Sequence, residues 1–159
     1  LLRDRGQFEE AEALLTHDVL PQWRRAMGNE NRGTLGGMYD LVSVLEGKGE
    51  IAKARALMEK VLKTQRRVLG ELDEDTLSSL HRLADITRAE GDAVRAEALL
   101  REALAGYRRT LGDDDPATLD TIETLIDLLR QRHALDEAAV LERELQKSRQ
   151  RAAGAKKAN

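Results

Sequence analysis

The feature that most constrains this fold is an internal repeat. Residues 27–35, 69–77 and 111–119 each begin with an apolar residue and a glycine and end in Thr-Leu. These markers are 42 residues apart, as their conserved positions show: Gly28, Gly70 and Gly112, and Thr34, Thr76 and Thr118. A chain with such a period builds one supersecondary unit per copy and stacks the copies, so an array is predicted.

A second marker, Gly-x-apolar-x-x-Ala, lies half a period away. It begins at Gly6, Gly49 and Gly91, and a fourth copy has His133 in place of the glycine. Its alanine is small enough to let two helices approach closely. Apolar residues recur three and four positions apart between the markers, so each half-period is predicted to be a helix.

The markers also predict the helix ends. Asn31, Asp73 and Asp115 are expected N-caps, and Pro116 is expected at the first helical position. The glycines of the first marker are expected to be left-handed C-terminal caps. The predicted elements are the end of a helix at 1–5, a lone helix at about 8–27, and three helix pairs at 32–48 with 51–69, 74–90 with 93–111, and 116–132 with 135–151.

The predicted organisation is a single all-α array over residues 1–151. It comprises a partial repeat at 1–28, repeats at 29–70, 71–112 and 113–151, and a basic flexible tail at 152–159. The first copy carries one extra residue between Thr16 and Val19, with Pro21 close behind. We expect a kink or break near 16–20, or a bulge that absorbs the proline.

Composition excludes several classes of protein. Aromatic residues make up 3% of the chain, there is no cysteine, and the net charge is −3. These values argue against a β-fold, thiolate metal sites and a nucleic-acid binder. No apolar run is long enough for membrane insertion. We therefore expect an intracellular, soluble protein, in the cytoplasm first and an organelle interior second. Since the sequence begins with Leu1, we expect it to be part of something larger.

No catalytic or metal site is predicted, and no cofactor. His17, His81 and His133 lie in three different repeats without ligand spacing. The acidic run at 113–115 lacks the alternation of a calcium loop. The glycines at 33, 36 and 37 follow no strand and precede no Gly-Lys-Ser/Thr, which argues against a phosphate loop.

The period alone is typical of HEAT or armadillo repeats, whereas the residues favour another class. The glycine turn, the small residues at Ala54, Ala96 and Ala138, and the run at 103–116 resemble the 42-residue tetratricopeptide variant of kinesin light chain. The resemblance covers about 6–146. One departure is Asp115, where that family usually has histidine. The resemblance implies an α-solenoid, a right-handed superhelix of stacked antiparallel helix pairs.

The resemblance also implies a concave groove lined by the first helix of each pair. Its predicted partner-binding residues are Tyr39, Asp40, Ser43, Glu46, His81, Arg82, Asp85, Arg88, Asp120, Glu123, Asp127 and Arg130, with Gly36, Ser78 and Thr124 beside them. The asparagines that the family uses to clamp a peptide backbone are missing. Six acidic and three basic residues give this set a charge of −3, which suggests a partner with basic residues, held toward the third pair. The alternative is an ordinary solvated helix face.

A second candidate surface is formed by arginine doublets 42 residues apart. They are Arg24 and Arg25, Arg66 and Arg67, and Arg108 and Arg109. Each doublet lies in the last turn of a helix, where cations favour the helix dipole. A ridge for an acidic partner is the alternative. Trp23 is either an exposed anchor or a cover for the kink, whereas Phe8 and Tyr107 are expected in the core.

Glu142 stands where earlier copies have Met58 and Leu100, which suggests a terminal capping helix. The function that these observations favour is a non-catalytic scaffold that binds a peptide or protein surface through its groove. The alternative is a structural subunit of a larger assembly that uses its edges and its N-terminal open end.

Overall fold

The structure is a computed structural model. It describes the backbone over residues 2–157 and the side chains over 6–151. This part of the chain is helical apart from short turns, as the sequence predicted. The elements are α1 (Leu2–Ala13), a π-helical turn (Leu14–Val19), α2 (Leu20–Met27), α3 (Arg32–Gly47), α4 (Ile51–Val68), α5 (Glu74–Ala89), α6 (Ala93–Thr110), α7 (Pro116–Gln131) and α8 (Leu135–Lys157).

The chain forms two compact units, Leu1–Ile86 and Thr87–Asn159, with the boundary inside α5. In the first unit, α1 and α2 contact α3, and α3 contacts α4; in the second, α7 contacts both α6 and α8. The small residues Ala54, Ala96 and Ala138 are all buried, which fits their expected role at close helix contacts. The apolar cores are therefore built from the faces that the 42-residue pattern identified.

The helix ends carry the predicted caps. The side chains of Asn31, Asp73 and Asp115 each accept a hydrogen bond from the backbone N–H two residues later, at 2.9, 3.0 and 2.8 Å. Gly28, Gly70 and Gly112 have φ values of 89°, 98° and 91°, a region that favours glycine. The N-cap residues and the glycines that recur with the repeat are therefore explained by the hydrogen bonds and conformation of the backbone.

His133 occupies a backbone position that belongs to glycine in the other copies. Its φ is 59°, and Gly49 and Gly91 at the equivalent turns have φ values of 76° and 90°. A side chain in this region normally costs conformational energy, although histidine tolerates it better than β-branched residues do. The fourth copy of the turn therefore keeps its shape without its glycine.

The N-terminal segment departs from the prediction at one point and agrees at another. Gly6 lies within α1, so the turn expected there is wrong. A glycine permits a turn but does not impose one, and no described helix precedes it to pack against. The predicted bulge is confirmed: a π-helical turn at Leu14–Val19, with Leu20 N–H bonded to Leu15 C=O, takes up the extra residue before Pro21.

The C-terminal helix is longer than expected. We predicted that it ends at 151, but α8 continues to Lys157. The residues from Ala152 onward are mainly alanine and lysine, which are strong helix formers, and no proline interrupts them. The predicted flexible tail is thus helical over 152–157, and residues 158–159 lie outside the described part.

Phe8 is not a core residue, contrary to expectation, whereas Tyr107 is buried. The ring of Phe8 is half-buried and lies on Gly47, where an added Cβ would come within 2.5 Å of it. Lys48, just after α3, forms an ion pair with Glu12 and another with Glu50 at 3.3 Å. These contacts attach α1 to the end of α3.

The Lys48 cluster also shifts two pKa values. Hydrogen bonds from Lys53 and then from Lys48 lower the pKa of the Glu50 carboxyl. A hydrogen bond to Glu12 raises the pKa of Lys48. Both groups are thus held in their charged forms.

Candidate functional site

Two of the predicted groove helices, α3 and α5, are tied together in the first unit by Arg82. Its guanidinium binds Glu46 through Nη2 at 2.6 Å and Nε at 2.9 Å, and Nη2 donates to Ser43 Oγ at 3.4 Å. The structure therefore brings three predicted residues together. It also neutralises Glu46, which the sequence counted as part of an acidic surface.

A cleft of about 230 Å³ lies beside this contact. Its lining includes Tyr39 and Asp40 from α3 and Asp75 and Ser78 from α5. Gly36 also lines the cleft, and the space beside it is open, because nothing lies within 4 Å of the position where its Cβ would stand. Four predicted or neighbouring groove positions thus meet at one concave site.

The two carboxylates of the cleft differ in their partners. Asp75 binds Arg32 Nε at 2.6 Å, and this hydrogen bond raises the pKa of the arginine. Asp40 is exposed and makes no hydrogen bond or ion pair with any residue the structure describes. The cleft therefore carries one negative charge without a counterion.

The sequence prediction missed two residues of this cleft, Asp75 of α5 and Gln65 of α4. Gln65 is 3% exposed, and its Oε1 is buried without a hydrogen-bond donor among the described residues. The signal was available, because Gln65 stands where other copies have Trp23 and Tyr107. An amide at a position that two copies fill with an aromatic ring indicates a role other than apolar packing.

The other predicted residues of α5 have partners of their own. His81 Nε2 lies 3.9 Å from the Asp85 carboxylate on the same helix face. Arg88 is half-buried and also engaged. These residues share one face of α5, as their spacing predicted.

In the second unit, the predicted groove residues of α7 face charges on α8. Glu123 binds Arg149 at 2.5 Å, and Arg130 binds Glu142 at 2.8 Å. Asp127 is exposed, 3.9 Å from Arg130. Asp120 is exposed as well, and the hydroxyl of Thr124 donates to its backbone carbonyl at 3.1 Å. The acidic surface expected at the third pair is therefore largely balanced by arginines.

The α7 and α8 side chains also line a cleft of about 330 Å³. Its α8 wall is formed by Glu142, Leu145, Gln146 and Arg149, one helix turn after another. The equivalent residues of α4, 84 positions earlier, are Met58, Val61, Leu62 and Gln65, and all four are buried. Three of the four positions are thus charged or more polar in α8 than in α4.

The arginine doublets are partly neutralised by local pairing, as the acidic turns suggested. Arg66 binds Glu71 at 2.9 Å and Arg67 binds Glu30. Arg108 binds Glu144 at 2.6 Å and Asp113 at 3.3 Å. The exceptions are Arg24, Arg25 and Arg109, which are exposed and form no ion pair with a described residue.

Trp23 packs on α3 and is also partly exposed. Its ring lies against α3, where a Cβ added to Gly37 would come within 2.8 Å of it and within 3.1 Å of Leu20. The side chain nevertheless remains 37% exposed, and Met27, one turn later, is 46% exposed. Trp23 therefore covers the helix after the π-helical turn and still presents an edge to solvent.

The described residues form no cluster of candidate metal ligands. None of their histidines, aspartates and glutamates gather in threes at a spacing that could hold a metal ion. Within the same part of the chain, no helix has the length and apolarity to span a membrane.

Comparisons with known proteins identify the family. The tetratricopeptide repeat profile matches residues 34–108 and 75–151. No curated protein matches the sequence. Among solved structures, the nearly identical TPR-like repeats from Podosopora anserina, designated a kinesin light chain, superpose with a TM-score of 0.76. The identity is 24%, over 92% of this chain and 69% of that one.

BtubC (BKLC) from P. vanneervenii superposes with a TM-score of 0.83. The identity is 22%, over 94% of this chain and 58% of that one. At these identities the likeness shows the fold, and the profile match shows the family. The HEAT or armadillo class that the period alone favoured is thereby set aside. The chain belongs to the tetratricopeptide repeat family, and its fold is similar to that of the kinesin-light-chain repeats from Podosopora anserina.

Proposed function

We propose that the chain is a non-catalytic interaction module that binds an extended peptide, or a strip of a protein surface, along the first helices of its repeats. Tetratricopeptide repeats generally mediate binding to protein partners and are generally not catalytic. The observation that carries the proposal is the cleft between α3 and α5, where Asp40 has no counterion among the described residues and Tyr39 and Ser78 offer further polar contacts.

The partner that fits this surface carries basic residues. In the first unit, Glu46 is occupied by Arg82, so the attraction is concentrated at Asp40. In the second unit, Asp120 and Asp127 remain exposed on α7, while Glu123 is engaged by Arg149. The sequence placed the acidic attraction at the third pair, and the pattern of ion pairs supports the first unit instead.

The experiment is site-specific photo-crosslinking in an extract of the source organism. A benzophenone amino acid replaces Ser43 on α3 in one variant, which keeps the Asp40 carboxylate, and Arg25 or Arg109 in a matched set; all three replaced residues are exposed. We expect a discrete crosslinked protein from Ser43 only. Crosslinks confined to Arg25 and Arg109 would overturn the proposal.

A second function, a structural subunit of a larger assembly, is favoured by one observation. Trp23 and Met27 lie one turn apart on α2 and are both partly exposed, next to Arg24 and Arg25, which have no described ion-pair partner. Tryptophan and arginine are enriched at the energetic centres of protein interfaces. Crosslinking from Arg25 is therefore the outcome that this alternative predicts.

A further inference from the structure

The cleft between α3 and α5 contains a buried hydrogen-bond acceptor that the fold leaves unused. Gln65 Oε1 has no donor, and the side chain is 3% exposed. Leaving such a group buried without a partner opposes folding. A methionine of similar volume would avoid this cost, so folding does not explain the choice.

Other buried polar atoms in this unit do not pose the same problem. The hydroxyls of Thr34, Thr76 and Ser79 also lack a partner, but a helical hydroxyl can rotate toward a carbonyl of the preceding turn. Gln65 Oε1 needs a donor, and the backbone N–H groups around it are used within the helix. Only a donor from outside the helix can satisfy it.

The cleft has room for such a donor. Its volume of about 230 Å³ is the share of seven or eight liquid waters, comparable with the seven heavy atoms of an arginine side chain. The terminal torsion of a glutamine is soft, so Oε1 can turn toward a group that enters. The Tyr39 ring provides a flat surface beside the opening, on which a guanidinium can stack.

Charge selects the kind of donor. Within residues 6–151, whose side chains the structure describes, Asp40 has no counterion, whereas Asp75 is already bound by Arg32. A guanidinium presents five N–H donors in a planar fork and can therefore bind a carboxylate and an amide oxygen at the same time. A lysine ammonium supplies the charge but not the fork.

We propose that this cleft is a receptor for a single arginine side chain of the bound peptide, with Asp40 holding the charge and Gln65 accepting from the guanidinium. This inference rests on the proposed function, because it assumes that a peptide lies along α3 and α5. It goes further by naming the side chain that is recognised and by assigning a role to Gln65 on α4, outside the predicted groove.

The test is an NMR titration of the ¹⁵N-labelled chain with acetylated heptapeptides of alanine that carry one central residue: arginine, lysine, citrulline or glutamate. We expect shifts at α3 and α5 with arginine, weaker binding with lysine, and at least tenfold weaker binding with citrulline, which keeps the shape but loses the charge. Equal binding of arginine and citrulline, or no binding of arginine, would overturn the inference.

Two variants separate binding from folding. Asp40→Asn should weaken binding of the arginine peptide about tenfold, whereas Asp18→Asn, an exposed aspartate of the same unit outside the cleft, should leave it unchanged. Gln65→Met should also weaken binding, yet raise the urea midpoint of unfolding because it removes the unused acceptor. A lowered midpoint would show that the oxygen is already satisfied and would contradict the inference.

Failure of the inference is distinguishable from failure of the proposed function. Random 12-residue peptides displayed on phage can be selected on the immobilised chain and remapped on Asp40→Lys and Arg25→Glu variants. Peptides that lose binding only with Asp40→Lys but show no enrichment in arginine would leave the proposed function intact and remove the arginine receptor. If selection yields no peptides whose binding is lost with Asp40→Lys, the proposed function itself fails.

Discussion

The α3–α4 and α7–α8 pairs occupy equivalent positions of the repeat, yet one side of the second helix differs between them. In α4 this side carries Met58, Val61 and Leu62, all buried. In α8, Glu142 and Arg149 take the places of Met58 and Gln65, and both pair with charges on α7. One side of the second helix thus changes from buried apolar residues in α4 to charged residues that pair with α7 in α8.

Exchanging residues between the equivalent positions of α4 and α8 should give the largest change in the free energy of unfolding. Met58→Glu places a carboxylate at a fully buried site without a partner, and we expect the free energy of unfolding to fall by about 3 kcal/mol or more. The matched change, Glu142→Met, removes a surface ion pair and should alter stability by less than about 1 kcal/mol. Urea unfolding followed by circular dichroism measures both; similar effects would mean that the faces do not differ.

The second comparison concerns the helix that receives Trp23. Gly37→Ala would bring a Cβ within 2.8 Å of the tryptophan ring, and we expect a loss of about 1–3 kcal/mol. Gly36→Ala is the neighbouring control, because its Cβ meets nothing within 4 Å and the helix gains about 0.5–1 kcal/mol. If the two variants unfold at the same urea concentration, Trp23 does not constrain α3.

The third comparison sets the turn at His133 against the turn at Gly91. We expect His133→Gly to raise the free energy of unfolding by up to about 1 kcal/mol, because the φ of 59° favours glycine. The reverse change, Gly91→His, should lower it by about 1–2 kcal/mol. Thermal unfolding is a suitable readout, and a loss of stability in His133→Gly would indicate that the imidazole makes a useful contact.

The smallest expected effect is the response to acid. The pKa of Glu50 is lowered by Lys53 and Lys48, and that of Asp114 by Arg151 and Ser148. For a lowered carboxyl pKa, the stabilisation is present above the ordinary value and is lost as the pH falls through the lowered one. Urea midpoints between pH 7 and pH 3 should therefore decline less steeply in Glu50→Gln and Asp114→Asn. An unchanged slope in both variants would contradict this.

Features that depend on the local backbone could be predicted from the sequence. The caps at Asn31 and Asp115 and the left-handed glycines recur with the period, since the same hydrogen bonds must be satisfied in every copy. The π-helical turn was predictable because one extra residue and a proline leave few other solutions. Gly6 was misjudged because a glycine allows two conformations, and its neighbours in space decide between them.

Features that depend on contacts between helices were predicted less well. The positions of Glu46 and Arg82 on their helix faces followed from the 3.6-residue spacing, but their mutual ion pair did not. The balance of charge on α7 depends on Arg149 of α8, which the groove prediction left out. Gln65 was overlooked because the groove was sought on first helices alone, although its mismatch with Trp23 and Tyr107 was visible.

The π-helical turn has a consequence for how such an array tolerates changes in length. The interval from Gly6 to Gly49 is 43 residues, whereas Gly28 and Gly70 are 42 apart, so the surplus residue is confined to a single turn. Beyond that turn, Leu20 and Trp23 again correspond to Leu62 and Gln65. The π-helical turn thus takes up an inserted residue within the helix itself. The residues after the turn keep the same positions in the repeat as their equivalents in the other copies.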